Sequence, residues 1–572
     1  MTIRTLVESL EHHPPPVLRA IAASHGLDVS GVARHDLPRV LADYLLRPPV
    51  VARALEHLTD EERALLERLV AAGGAFPAHR VRREYGDVRE FGVGRLERER
   101  PWEAPISPAE RLWYRGLIHS GFGRVGRFRG RVFYIPSDLL PLLPPAERPD
   151  EAFSVEIVSP PAHVRSAVPD GPVEAAFAVL SEVQRHPPRL GGEELCPPEL
   201  VSRVNARVPP FHPEISQAHE RRRVELMIHL VRHLELIVPE RGRLRLATAN
   251  ARRWLRAPRV RRLLSLQRAW AADARWNDLH HVPGLIVEPT GWHNDPVGTR
   301  QRVLGWLGEV PPGEWVSLHD FVAAVKRVDP DFQRPNGDYD SWFIRDARTG
   351  AFLRGWESWD AVEGALLRYL IAGPLHWLGV VDVGHDATEA PPTAFRITPW
   401  GARLLGRDVE LPPAPPRAPM TIAPDGTVTV PPGADDWERL HLERLAVPLA
   451  PPTHYRLDRE RIVNVLVAGS DPERVMRFLR RAADGRLPPQ VEARLRSWMA
   501  DFGRVTLRRL VVLEVDEPAV LEAMRRDPAV RRWLGRSLDE RTVVVRAERL
   551  QALVTALRRA GYLPRVVDGE DV

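Results

Sequence analysis

Apolar positions in this chain follow two rhythms, one of three to four residues and one of two, and their succession predicts a repeated order of helices and short hairpins. The first stretch predicts helices over Glu61–Ala72, Pro77–Glu84 and Ser107–His119, then a hairpin within Gly121–Leu143. Gly126 and Gly130 allow its turn, and Val132, Phe133 and Tyr134 supply β-forming side chains. A second stretch repeats the order with helices over Val173–Gln184, Pro198–Ala206 and Ile215–His233 and a hairpin over Leu234–Thr248, turning at Glu240-Arg241-Gly242. A third has helices over Arg300–Leu307, Leu318–Val328 and Trp359–Trp377, with a hairpin and short helix over Leu378–Leu405. Near the end, Ile462, Val465 and Leu466, then Val475, Phe478 and Leu479, then Val491, Leu495 and Met499 mark three short amphipathic helices. Gly469 closes the first of these and Ser470-Asp471 opens the second; Leu487-Pro488 starts the third, and Phe502-Gly503 leads toward a strand.

Three helices followed by a two-stranded hairpin is the winged-helix arrangement. The expected fold class is therefore α+β and predominantly helical: tandem winged-helix modules followed by a small α/β domain. Residues 1–59 are expected to form an accessory helical segment, with Leu37, Val40, Leu41 and Leu45 on its apolar face. Pro141–Pro149 and Leu411–Pro419 are proline-rich and favour extended linkers. The expected domains are 1–148, the helical segment with the first module; 149–275, the second module; 276–410, the third; and 411–572, the C-terminal domain.

A chain of 572 residues exceeds what one core organises, which agrees with several domains. No run of about 18 apolar residues occurs, and the start lacks a basic-then-apolar leader pattern, so a cytoplasmic protein without a membrane span is expected. The single Cys196 excludes an intrachain disulfide and a cysteine-based zinc site. Lys326 is the sole lysine, so basic charge here means arginine, and its distribution carries more than its total. Nine arginines and no acidic residue fall between Arg241 and Arg262.

A winged helix that grips DNA sets its third helix in the major groove and its wing on phosphates, so both should carry cations without carboxylates. The first module meets this with Arg111 and Arg115 on its third helix and Arg124, Arg127, Arg129 and Arg131 in its hairpin. The second meets it with Arg241, Arg243, Arg245, Arg252 and Arg253. The third hairpin carries Asp382, Asp386 and Glu389, which would repel phosphate, and reads as a spacer or protein-binding module. An aromatic insert, with Tyr339, Trp342, Phe343, Phe352 and Trp356, is expected to pack over its own domain rather than stack on bases.

Signs of catalysis are sparse. The sequence contains no GxxxxGK[ST] phosphate loop and no GxSxG elbow. His229 and His233 stand one helical turn apart with Glu225 a turn earlier, but no HExxH frame surrounds them, and no metal or cofactor is expected.

The ordered features from Tyr455 to Val505, namely Tyr455-Arg456-Leu457, Gly469, Ser470-Asp471, Leu487-Pro488 and Phe502-Gly503, resemble the N-terminal domain of XPB-type DNA helicases. GDVREFGVGRLERERPWEAPISPAERLWYRGLI, from Gly86 to Ile118, and Trp359–Val381 are similar to bacterial helicase-associated proteins that end in such a domain. The architecture also resembles the winged-helix subunit of general transcription factor IIH, which docks on XPB through a domain of this kind. That likeness implies an opening strand pair at Thr421–Val430, a strand within Arg504–Val515 and a closing strand-helix-strand unit at Thr542–Val567. The expected function is a non-enzymatic DNA-binding adaptor whose partners are DNA and an XPB-like helicase or transcription/repair protein. A winged-helix transcriptional regulator is the alternative, and a helicase-associated nuclease a third.

Overall fold

The computed structural model describes residues 3–126, 128–146, 152–168, 170–191, 196–208, 217–387, 390–449, 453–500 and 510–567. The fold is mixed α/β, with many short helices and small antiparallel sheets. Two compact units divide the chain: Met1–Pro419 with Pro431–Arg444, and Met420–Val430 with Leu445–Val572.

The first unit opens with four helices, Leu6–Leu10, Pro15–Ser24, Leu37–Leu45 and Pro48–Glu56. Leu6, Leu10, Ile21 and Leu41 lose all contact with water where three of them meet. Many helices begin with proline at their first turn, among them Pro48, Pro108, Pro198, Pro296 and Pro399. There the missing N–H costs nothing, so a proline-rich chain can remain helical.

Each of the three repeats has the expected helices and hairpin, plus a strand the sequence reading did not include. In the first, helix Asp60–Ala71 is closed at its start by a Thr59–Glu62 capping box. Ala75–Pro77 then pairs with the second hairpin strand, Phe128–Tyr134, ahead of helices Ala78–Tyr85 and Pro108–Tyr114. In the third, Trp315–Ser317 pairs in the same way with Pro392–Ile397. The second uses a shorter form: Arg189 bridges Arg243, flanked by bonds from Leu190 N to Gly242 O and from Leu244 N to Pro188 O, both 3.0 Å. One topology thus recurs, in which the segment after the first helix lies beside the returning hairpin strand.

The second and third repeats share one continuous core, so the boundary expected at 275/276 falls inside packed structure. Residues before the second repeat also belong elsewhere: His163–Arg165 adds an edge strand to Val381–His385 of the third repeat. The helix expected over Trp359–Trp377 is widened by a π-turn at Asp360–Gly364 and interrupted by a kink within Ile371–Leu375, where Gly373 has non-helical φ and ψ of −109° and −105°. Pro374 supplies the reason for the second, since it cannot donate the helical bond and its ring crowds the preceding turn.

Tyr339 and Trp342 of the insert are buried as expected, Phe343 and Trp356 are half-buried, and Phe352 is exposed. Trp342 stacks on Trp292 at 4.6 Å, and Tyr339 Oη donates to Asp331 Oδ1 at 2.8 Å. Asp331 also accepts from His79 Nε2 at 3.0 Å and Arg80 Nε at 2.7 Å, which ties the first repeat to the third.

The second unit contains a four-stranded sheet in the order Thr421–Ile422, Thr427–Thr429, His454–Leu457, Ala446–Pro448. Tyr455 is fully buried in it, so Tyr455-Arg456-Leu457 forms a strand that runs directly into a helix. Helices Arg459–Val467, Pro472–Ala482 and Pro489–Met499 follow, capped by Asp458 and Asp471 at the first two starts. Phe502-Gly503 and residues 504–509 lie outside the described residues. A smaller lobe then orders Val511–Glu514, Thr542–Val545 and Leu534–Ser537 in one sheet against helix Leu550–Arg559. The closing strand expected before Val567 is not formed: Tyr562–Val567 carries no strand, and Leu534–Ser537 takes the second edge of Thr542–Val545.

The linker expected at 411–419 is free of regular structure, but the chain returns to the first unit at Pro431–Arg444. Helix Asp436–Leu442 explains the return, since Trp437 and Leu440 enter the core shared by the second and third repeats.

Candidate nucleic-acid interface

The first hairpin pairs His119–Val125 with Phe128–Tyr134 without interruption, so side chains alternate between two faces. Phe122 opposes Arg131 and Arg124 opposes Arg129, which places all four on one face. Arg124 donates only to Gly126 O, at 3.1 Å, and neither Arg124 nor Arg129 makes an ion pair among the described residues. Like charges directly opposite each other weaken a strand pair, so folding gives no reason for this arrangement. Arg131 differs, being paired with Glu90 and donating to Ser120 Oγ at 3.3 Å. Arg127 lies outside the described residues.

Arg111 and Arg115 have an internal task. Their guanidinium groups converge on Glu62 at 3.5 and 3.0 Å, and Arg115 also donates to His57 O at 3.1 Å. Glu62 is inaccessible to water, so this carboxylate needs both cations. The third helix of the first repeat therefore uses the arginines assigned to a groove to hold its own scaffold, although Arg111 keeps an exposed edge.

The arginine run from 241 to 262 divides in two. Arg241 and Gly242 both have positive φ, 49° and 74°, as a two-residue hairpin turn requires, and Arg241 is exposed at its tip. Arg245 is exposed and 3.9 Å from Glu240, while Arg243 is held inward, donating to Pro187 O at 2.8 Å. On helix Thr248–Leu255, Arg252 and Arg253 are exposed, and Arg253 donates to Asn250 Oδ1 at 2.6 Å. Beyond them the direction reverses. Arg256 meets Asp435 at 3.4 Å, Arg259 meets Asp170 and Glu174 at 3.1 and 2.9 Å, and Arg262 meets Asp436 at 2.7 Å. The same inward pattern continues where Arg207 pairs with Glu443. Burial alone would raise the Glu443 carboxyl, but Arg207 and Ser181 hold it below its ordinary value.

The third hairpin is built differently. Asp382 is buried, accepting from Ala167 N at 2.8 Å and from Arg396 Nη2 at 2.7 Å, so its charge is spent within the sheet. Asp386 is exposed and accepts from Thr393 Oγ1 at 2.9 Å; Glu389 lies outside the described residues. The added strand His163–Arg165 covers the outer edge of this hairpin.

His229 and His233 turn away from Glu225 and toward Asp273, His229 through Nε2 and His233 through Nδ1 at 3.2 Å. Burial would raise the Asp273 carboxyl, but the bond from His229 overrides it and holds the group ionised. Glu225 pairs instead with Arg221 at 2.8 Å. No group of three or more His, Cys, Asp or Glu is arranged to hold a metal among the described residues.

In the second unit, helix Pro472–Ala482 buries Val475, Met476 and Leu479 and exposes Arg474 and Arg477. Residues 420–539 match the helicase conserved C-terminal domain family. The helicase-type segment spans the four-stranded sheet, its three helices and the lobe as far as Leu534–Ser537. It also includes helix Asp436–Leu442, which packs in the first unit. No curated protein matches the chain. No helix among the described residues is long and apolar enough to cross a membrane.

Proposed function

We propose that the chain is a non-enzymatic DNA-binding adaptor of a helicase, in which winged-helix-type repeats hold DNA and the C-terminal unit docks on an XPB-like partner. The observation that carries the DNA-binding part is the Arg124–Arg129 pair, two exposed arginines on facing strands with no carboxylate paired to either among the described residues. A phosphate backbone offers the missing countercharge. Arg241, Arg245, Arg252 and Arg253 offer a second exposed set. The recurring strand beside each hairpin supports reading all three repeats as winged helices, and the buried, paired Asp382 with its covering strand supports a scaffold role for the third. The helicase-type match at 420–539 supports a helicase as the partner.

Titration of a labelled duplex at several salt concentrations tests the reading. Affinity is expected to fall linearly on a log–log plot, and Arg124→Glu with Arg129→Glu should weaken binding at least tenfold, on the order expected for losing two phosphate contacts, and lower the slope by about 2. A flat salt response would remove phosphate neutralisation as the mode. The adaptor part predicts co-purification with an XPB-type ATPase and a changed ATPase rate. A protected operator in a footprint would favour a transcriptional regulator instead, and metal-dependent cleavage of DNA would favour a nuclease.

A further inference from the structure

Phe122 is 76% exposed in the middle of a regular strand, and no aromatic or cationic side chain stacks on its ring among the described residues. Its neighbours on the same face are Arg124 and, across the hairpin, Arg129 and Arg131. Gly121 and Gly123 flank it, and Gly123 opposes Gly130; on the reverse face the Phe128 ring lies over Gly130 and Tyr134 lies beside Gly121, so that face is packed and Phe122 stands on the open one. The hairpin therefore has one face packed against its own repeat and one open face, on which a phenyl ring stands out among arginines.

A surface that only neutralises phosphate gains nothing from an exposed phenyl ring, and water opposes leaving one there. An aromatic ring beside arginines suits a nucleobase face with its phosphate adjacent. In continuous duplex every base face is covered by its neighbours. It is uncovered only where strands part, end or are single.

From this placement we infer that the first hairpin recognises DNA with an uncovered base, a single strand or the opening of a duplex, by stacking Phe122 on that base while Arg124 and Arg129 hold the phosphates beside it. The inference rests on the DNA-binding reading above and specifies its substrate. Phe122 serves as the specificity element and the two arginines as the sequence-independent grip.

The test compares three labelled DNAs by anisotropy on the full chain: a dumbbell closed by loops at both ends, a forked duplex and a single strand, with 2-aminopurine at the fork as a stacking reporter. The wild-type chain should bind the fork or the strand about tenfold or more tighter than the closed duplex stem, in the range of one base–aromatic stack, and should quench 2-aminopurine. Dumbbells of two stem lengths separate the contribution of the loops, which stays constant, from that of the closed stem, which grows with its length. Phe122→Ala should erase the preference and the quenching and leave closed-duplex affinity within about twofold, while Phe122→Trp should keep both. Because Phe122 is exposed, its replacement leaves the packing of the repeat intact. Equal wild-type affinity for fork, strand and closed duplex, or a preference that survives Phe122→Ala, would overturn the inference and leave phosphate binding standing. Absence of salt-dependent binding to all three DNAs would overturn both readings. If the single strand alone is preferred, the substrate is single-stranded DNA; if the fork exceeds it, the substrate is the junction.

Discussion

Replacing Arg300 with Met should destabilise the core shared by the second and third repeats by about 3–5 kcal/mol, the usual cost of stranding a buried partner charge. Arg300 is wholly enclosed. Its Nε donates to Asp278 Oδ2 at 2.6 Å and its Nη1 to Trp270 O and Asp273 O at 2.8 and 2.5 Å, while Nη2 reaches Trp276 O. One side chain thus satisfies three carbonyls and a carboxylate in the last turn of helix Arg259–Ala272 and in the loop after it. Burial already raises the Asp278 carboxyl above its ordinary value, against the opposing pull of Arg300. Without Arg300 the rise should be larger, so the folded variant should bind a proton that the unfolded chain releases. The deficit is therefore expected to be greatest near neutral pH and to shrink as pH falls through the folded value. Denaturant midpoints followed by tryptophan fluorescence at pH 7 and 5 would show this, and adding Asp278→Asn should recover part of the loss. An unchanged midpoint at both pH values would refute the assignment of Arg300 as the keystone of this loop.

Acid should weaken the first repeat through a pair of histidines. His13 Nε2 lies 2.9 Å from His119 Nδ1, and His119 Nε2 lies 3.1 Å from Gly116 O. With Gly116 O able only to accept, His119 carries its proton on Nε2 and accepts from His13 on Nδ1. A proton added at Nδ1 would face the His13 N–H. Burial, reinforced by the neighbouring imidazole, pushes His119 down to about 3, and burial with a smaller contribution from His12 pushes His13 down to about 4. Both folded values lie below the unfolded value near 6.5, so the unfolded chain takes up protons that the folded chain excludes. Their stability contribution is full above about pH 6.5 and is lost as pH falls toward the folded values. Between pH 7 and 5 each histidine should cost roughly 2 kcal/mol, or about 4 kcal/mol for the pair. His219, His281 and His376, each pushed to about 4 chiefly by burial, add the same tendency in the shared core. Urea midpoints of the wild type and of His13→Gln/His119→Gln at the two pH values would separate the pair's share. A variant with the wild-type pH slope would count against it.

Element order was legible because periodicity is local. Helix Leu318–Val328 occurs where its apolar spacing predicts, and Asp60–Ala71 differs by one residue at each end from the expected span. Strands Ala75–Pro77 and Trp315–Ser317 are not legible in the sequence, because three residues are too few to display a two-residue rhythm. Whether an arginine is exposed or paired was legible only where a local rule decides it. Arg124 and Arg129 are exposed because strand alternation, a local rule, places them so. Arg256, Arg259 and Arg262 are neutralised by residues as distant as Asp435 and Asp436, which no local pattern around them announces. Arg111 and Arg115 meet Glu62 across two helices for the same reason. Asp382 read as an exposed acid because its partner Arg396 sits on the facing strand and its second donor, Ala167, comes from a segment more than 200 residues earlier. Phe122 was available to alternation, being in phase with Arg124, but an isolated phenylalanine in a strand ordinarily signals packing.

The return of Pro431–Arg444 to the first unit bears on how the protein can be divided. Cutting after Pro419 would deprive Arg207, Arg259 and Arg262 of Glu443 and Asp436, and would open the site filled by Trp437 and Leu440. A fragment starting at Met420 would carry that same helix with its apolar side chains uncovered. Neither half is self-sufficient as a linear fragment: the first unit borrows its last helix from within the sequence of the second, so gene-level dissection at the proline-rich linker would yield two sticky products rather than two domains.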